Sequence, residues 1–425
     1  MRIFVHSLAA LLSLTLSGCG MDECEPNSAS CTGKSSYRVC EYVMSGDHGG
    51  SYEWSNEICA SAKPLCHEYE SSPVCHPLGT RVCSSVPLLP AAYTAVAVSL
   101  GDANADSTSD VAMVLPYDSA PVLAVALGNG SGRLDEPRVV GELDWYNLGT
   151  YSPVLGDLTG DGVPDIAVVA AASKENSAVR WWGGLGGGNF ALGGQAFDPG
   201  WAEQMILGDL DGDGRAELIV ATAGDKPHVS VLGVQNGTLK PITTLKGASQ
   251  PLPKPLAHLG DHRLAVGDTV YRFEAGALVV DQKLDTSGPI AEVVAHDLTQ
   301  DGNVDLVLVH AESSPPYEPP VEIHVSDDSG VFSRAVTVAG GRGLAIADVD
   351  RNGYPDLVIP SLDARVRTYR YYGLSVLGPV EQTFPSAPPA IKILTASKLG
   401  DTTFGDRVLL WTGRLYAMGD DCFPP

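Results

Sequence analysis

Five segments of this chain are copies of one another. LGDANADSTSDVAMVLP starts at Leu100, LGDLTGDGVPDIAVVAA at Leu155 and LGDLDGDGRAELIVATA at Leu207, followed by AHDLTQDGNVDLVLVHA at Ala295 and IADVDRNGYPDLVIPSL at Ile346. Their first acids, Asp102, Asp157, Asp209, Asp297 and Asp348, stand 55, 52, 88 and 51 residues apart. The long interval holds an eroded copy from Leu256, whose loop has shrunk to Gly260-Asp261-His262-Arg263. A second eroded copy, from Ala396, closes the chain. A period of about 50 residues means one supersecondary unit laid down repeatedly, each copy too small to bury its own faces alone.

Within a unit the apolar runs are short and separated by turn residues. In the first they read AVAVSL, DVAMVL, VLAVAL, a corner GNGSGRL and then PRVVGEL. Four such runs predict a four-stranded antiparallel blade, and blades repeated in series predict a radial β-propeller. A linear β-solenoid is the competing arrangement, but its rungs are usually shorter. The fold class expected is therefore all-β, a seven-bladed β-propeller preceded by a small disulfide-rich module. The 47 glycines and 30 prolines of the 425 residues suit so many turns.

The last unit supplies IKILTAS, RVLLWTG and RLYAMGD and then the chain stops one strand short, while RVCSSVPLLPA precedes the first unit without a sheet of its own. The N-terminal segment is expected to complete the last blade. That arrangement places Cys83 beside Cys422, and a disulfide there would clasp the ring.

The N-terminus is a processing signal by its pattern: Arg2, an apolar stretch from Leu8 to Leu16, then Leu16-Ser17-Gly18-Cys19. The stretch is too short to span a bilayer. It resembles a bacterial lipoprotein signal, which implies cleavage before Cys19, lipidation of its thiol and, with Gly20 next, an outer-membrane or cell-surface location. Without Cys19 the nine cysteines leave eight, an even number in an oxidising compartment. Cys24, Cys31 and Cys40 repeat as Cys59, Cys66 and Cys75 with the same spacing, so a duplicated disulfide module is expected. The boundaries are 1–18 for the signal peptide, 19–78 for the cysteine-rich module and 79–425 for the propeller.

In the third loop, oxygen side chains fall at positions 1, 3, 5 and 9, namely Asp209, Asp211, Asp213 and Glu217, with Gly214 at position 6. Hard oxygens at that density favour calcium. Position 12 is Val220 and a strand follows, so the loop is no EF-hand. Taken with the LGNG corner at Leu127, the five loops resemble the FG-GAP or VCBS repeats of integrin-α-type propellers. That resemblance implies about five structural calcium sites. Its ligand positions fall on Asp102, Asn104, Asp106 and Asp110; on Asp157, Asp161 and Asp165; and on Asp209, Asp211, Asp213 and Glu217. They fall likewise on Asp297, Asp301 and Asp305, and on Asp348, Asp350, Asn352 and Asp356. Thr159, Thr299 and Ser107 depart from the pattern, and the fourth and last units lack the ligands.

Fifty-one acids against 27 bases give a formal charge of −24, which repels nucleic acid and anionic lipid. The only membrane attachment expected is the lipid. No GxSxG or HExxH sequence occurs, and the glycine run Gly183 to Gly188 reads as a strand-to-strand turn. No catalytic residue is assigned. Recognition of a protein or glycan at the cell surface, as in adhesion, is the function expected of a monomeric propeller. Candidate contacts on the face opposite the acidic loops are Trp145, Tyr146, Tyr151, Trp201, His228, Tyr317 and Arg342. A lyase-like polysaccharide-degrading enzyme and an assembly scaffold are the alternatives.

Overall fold

The computed structural model describes most of residues 29–418, with side chains described within 88–369; the longest stretches outside the description are 1–28, 144–152, 247–254, 384–391 and 397–406. Contacts divide the chain into two units, Met1–Val82 and Cys83–Pro425.

In the first unit, Ala29–Gly33, Ser36–Met44 and Gly50–Ile58 form a three-stranded antiparallel sheet, and Leu65–Tyr69 pairs with Ser72–His76 in a hairpin. Cys31, Cys40, Cys66 and Cys75 lie on strands, Cys66 opposite Cys75 in the hairpin, and their side chains lie outside the described ones, as does any bond between them. Tyr37, Val39, Tyr42 and Val43 give Ser36–Met44 the aromatic and β-branched content that favours a strand. Cys19, Cys24, Cys59, Cys83 and Cys422 lie outside the described residues, so the lipidation site and the Cys83–Cys422 clasp are not seen.

The second unit is a β-propeller. Its first sheet comprises Ala97–Gly101, Asp110–Leu115, Val122–Ala126 and Arg138–Glu142, and each following sheet repeats that meander from the inside outward. The fourth sheet, built on the eroded copy, turns from Leu256–Gly260 into Arg263–Val266 through Asp261 and His262, with φ of 45° and 60°. Two positive φ values are what a tight two-residue hairpin demands. From the first sheet to the fifth the inner strands touch in chain order, Ala345–Ala347 touches Lys392–Ala396 of the last sheet, and Lys392–Ala396 touches Ala97–Gly101 of the first, which closes the ring. The last sheet takes its outer strand from before the first: Ser85–Pro87 pairs antiparallel with Leu415–Met418, Val86 opposite Ala417.

The ring holds six regular four-stranded blades rather than the seven expected. In the unit from Ile346 the sheet is five-stranded. After Arg365–Tyr369 its chain leaves for a separate hairpin, Tyr371–Tyr372 with Ser375–Val376, before Val380–Thr383 returns. An interruption at the third turn breaks the regular meander there.

The core sits between blades. Asp110–Leu115 and Val122–Ala126 are buried at every position, whereas the outer strand Arg138–Glu142 is exposed or half-buried. Alternation sends Val111 and Met113 to one side, and Ala112 and Val114 to the other, where they meet Ile166, Val168 and Trp182 of the second sheet. Each sheet thus completes its neighbour's core.

The glycine of the Leu-Gly-Asp triplets is explained by this packing. A Cβ on Gly156 would stand 2.8 Å from Leu207 Cδ1, one on Gly101 3.0 Å from Leu155 Cβ, and one on Gly208 2.4 Å from His258 Cγ. A side chain from the next sheet's inner strand lies in the space left by the preceding sheet's glycine.

Candidate metal centre and a buried carboxylate cluster

Each acidic loop joins a blade's inner strand to its second strand, so all of them lie on one face. The loops share a backbone. Position 6 has positive φ in Gly162, Gly214, Gly302 and Gly353, at 82°, 86°, 91° and 88°, and Ser107 takes the same place at 66°. The first acid of each loop turns back onto the loop's own N–H groups. Asp157 Oδ1 accepts from Gly160 N at 2.6 Å and its Oδ2 from Gly162 N at 2.8 Å; Asp209 accepts likewise from Gly212 at 2.7 Å and Gly214 at 3.0 Å. Asp102 receives Ser107 N at 2.8 Å, Asp297 receives Gly302 N at 3.0 Å, and Asp348 receives Gly353 N at 3.0 Å. Convergent N–H dipoles compensate part of the negative charge without any cation.

The acid at position 9 is fully buried and staples three segments. Asp110 Oδ2 accepts from Ala103 N and Oδ1 from Gly128 N, both at 2.7 Å. Asp165 holds Leu158 N at 2.9 Å and Gly184 N at 2.8 Å; Asp305 holds Leu298 N at 3.0 Å and Ser326 N at 2.9 Å. Loop, second strand and the far end of the third strand are thereby tied together. Burial raises the pKa of Asp110, Asp165 and Asp305 despite these bonds. Asp356 accepts from Val349 N at 3.1 Å.

The third loop differs. Glu217 is one methylene longer than its counterparts and its Oε2 accepts from Leu210 N at 2.8 Å. Burial, with Asp211, Asp209 and Asp213 nearby, pushes its carboxyl up to about 7. Asp209, Asp211 and Glu217 each offer an oxygen, and these oxygens lie within 4.8 Å of one another. Two oxygens on one calcium ion, each at 2.3–2.6 Å, stand at most about 5 Å apart, so this set fits a calcium ion. Asp213 is engaged instead with Arg215, which stands 3.8 Å away, and accepts its backbone N–H at 2.9 Å.

Among the described residues no other loop gathers three such acidic or histidine ligand atoms, so one cluster, rather than the five expected, is supported. In the first loop, Asn104 Nδ2 donates to Asp106 at 2.8 Å, so those two satisfy each other. Asp161 and Asp301 accept the N–H groups two residues on, from Val163 and Asn303. Asp350 and Asn352 lie outside the described residues.

Of the candidate recognition residues, Trp145, Tyr146, Tyr151, Tyr317 and Arg342 lie outside the described residues, and Trp201 opens the inner strand Trp201–Gly208. His228 is half-buried and its Nδ1 stands 2.9 Å from Thr222 Oγ1, an arrangement within its own sheet. The glycine run forms the hairpin turn between Ser177–Gly186 and Asn189–Asp198, with positive φ at Gly186, Gly187 and Gly188.

A second cluster carries no sequence signature. Glu322, with no exposed side-chain area, has His310 Nε2 and His324 Nε2 each 3.3 Å from Oε2, and Arg334 Nη1 3.0 Å from Oε1. Ser287 donates to Oε1 from its hydroxyl at 2.6 Å and from its backbone N–H at 3.1 Å. Burial alone would raise this carboxyl; hydrogen bonds from Ser287, His324 and Arg334, with His310 nearby, bring it down to about 2. The residues come from two adjacent strands, an outer strand and a linker 35 positions away, which no local pattern reveals.

No family model and no curated protein matches the chain. Among solved structures, the rhamnogalacturonan lyase YesW is similar at 13% identity and a TM-score of 0.46, over 92% of this chain and 85% of that one. The exotype rhamnogalacturonan lyase YesX stands at 11% and 0.44, over 93% and 90%. A putative 6-phosphogluconolactonase from Bacteroides fragilis stands at 13% and 0.47, over 84% and 97%.

Proposed function

We propose that this chain is an exported, lipid-anchored β-propeller, steadied by bound calcium, that serves as a recognition module for a protein or glycan at the cell surface. The observation that carries the calcium assignment is the convergence of Asp209, Asp211 and the buried Glu217 in the third loop. Near pH 7 a Glu217 carboxyl titrating at about 7 is part-protonated; a cation would draw it to the ionised form and release the proton. The ligand set contains only oxygen, which favours calcium over zinc.

The recognition role rests on architecture. A ring closed by its own N-terminal strand holds the linkers between blades, and the turns between second and third strands, on the face away from the acidic loops. Trp145, Tyr146, Tyr151, Trp201, Tyr317 and Arg342 belong to those segments, and aromatic side chains there would stack on sugars or anchor a protein. The N-terminal lipid on Cys19 and a clasp between Cys83 and Cys422 complete the proposal. Its test is binding of the lipid-free chain to arrayed glycans and to surface proteins of the producing cell, with Trp145→Ala and Tyr317→Ala as controls. Saturable binding lost in both variants supports it. Binding that ignores both substitutions would remove this face from the account.

A further inference from the structure

We propose that the Glu322 cluster is an acid-released latch, which ties the 285–289 linker to the fifth sheet at neutral pH and lets it go when His310 and His324 become protonated. The linker joins Ala277–Lys283 of the fourth sheet to Ile290–His296 of the fifth. Both of the latch bonds from Ser287, one backbone and one side-chain, end on a single oxygen of Glu322.

The charges around that carboxylate set the direction of the effect. On its own strand stands His324; from Asp305–His310 comes His310; from Phe332–Ala339 comes Arg334; and the linker contributes Asp285, exposed and 3.4 Å from Arg334 Nη2. The inner strand brings Val293 to this seam, and the fourth sheet brings Gln282, bonded to Phe332, and Arg263 over the Phe332 ring. With both imidazoles neutral, Glu322 and Arg334 balance. One proton finds Glu322 Oε2. Two leave a net charge of +2 among these four groups in a place with almost no water, since His310 and His324 are 4% and 1% exposed.

His310 Nε2 is buried and makes no hydrogen bond of good geometry. Burial lowers the pKa of His324 despite Glu322. A histidine with a depressed folded pKa lends stability that is present above its ordinary 6.5 and is lost as the pH falls through the folded value. Glu322 itself, held at about 2, stays ionised throughout that window. The histidines are therefore the trigger and the carboxylate the fixed post.

The test is amide hydrogen exchange of the full chain at pH 7.5 and 5.0, corrected for intrinsic exchange. The Ser287 amide should lose at least tenfold in protection at pH 5.0, while Val168 in the second sheet keeps its own. In the His310→Gln/His324→Gln variant, Ser287 should stay protected at both values. Unchanged protection in the parent chain, or the same loss in the variant, overturns the proposal. If that variant does not fold, imidazole NMR titration of the parent decides. Ring protonation that runs parallel with the Ser287 amide shift supports the latch. Both rings neutral at pH 5.0, or protonation without movement of Ser287, overturns it.

Discussion

Replacing Gly208 by alanine tests how neighbouring blades interlock. The new Cβ would stand 2.4 Å from His258 Cγ and 2.6 Å from Cδ2. Carbon atoms prefer 3.5–4.0 Å, so the imidazole must retreat by about 1 Å. It has little room, because the ring is half-buried, with its Nε2 shielded from solvent. Gly208 is not among the residues of positive φ, so no backbone strain adds to the clash. Overpacking of this kind costs about 1–3 kcal/mol. Urea denaturation of the single variants and of Gly208→Ala/His258→Ala gives the coupling. Gly208→Ala should cost its full amount in the parent and less than about 0.5 kcal/mol once the ring is gone, as for an ordinary surface change. An equal cost in both backgrounds would refute the interlock.

Asp165→Ala should destabilise by about 2–5 kcal/mol with or without chelator, because it strands buried N–H groups at Leu158 and Gly184; a thermal melt in both conditions checks it. Gly214 has φ of 86° with open space around it, so Gly214→Ala should cost about 1 kcal/mol through the backbone alone, and Ser107→Gly should gain a similar amount. A Glu322 carboxyl at about 2, against an ordinary 4.5, lends stability that is present above pH 4.5 and lost as the pH falls toward 2. That is about 3 kcal/mol, and it should vanish from the pH dependence of Glu322→Gln. Asp110, Asp165 and Asp305 oppose this, since their raised pKa values lend stability at low pH that is lost as the pH rises. A chain starting at Ala91, lacking Ser85–Pro87, gives up three paired positions beside Leu415–Met418 and should lose about 3 kcal/mol at about 1 kcal/mol per hydrogen bond.

The propeller was legible because its determinant is periodic. Copies of one acidic loop between apolar runs fix the unit, and the missing last strand fixes where the N-terminal segment must pair. The interruption after Tyr369 was not legible, because a hairpin such as Tyr371–Tyr372 with Ser375–Val376 leaves the surrounding apolar pattern intact. In the loops, spacing located Asp110, Asp165 and Asp305 but not their work. Side-chain spacing cannot tell a carboxylate aimed at an ion from one aimed at backbone N–H groups. Glu217 shows the limit best: its extra methylene is visible in the sequence, but its burial and its approach to Asp209 and Asp211 are not. The Glu322 cluster was invisible, since Ser287, His310 and Arg334 reach it only through sheet pairing and blade packing.

The central claim is that a cation steadies this propeller through the third loop. Elemental analysis of the oxidised, folded chain, with thermal melts in calcium and in chelator, tests it most directly when done beside Glu217→Gln. The account predicts a bound calcium ion lost in that variant, and a chelator-induced drop in melting temperature that the variant no longer shows. No bound calcium, and the same melt in calcium and in chelator, would contradict it.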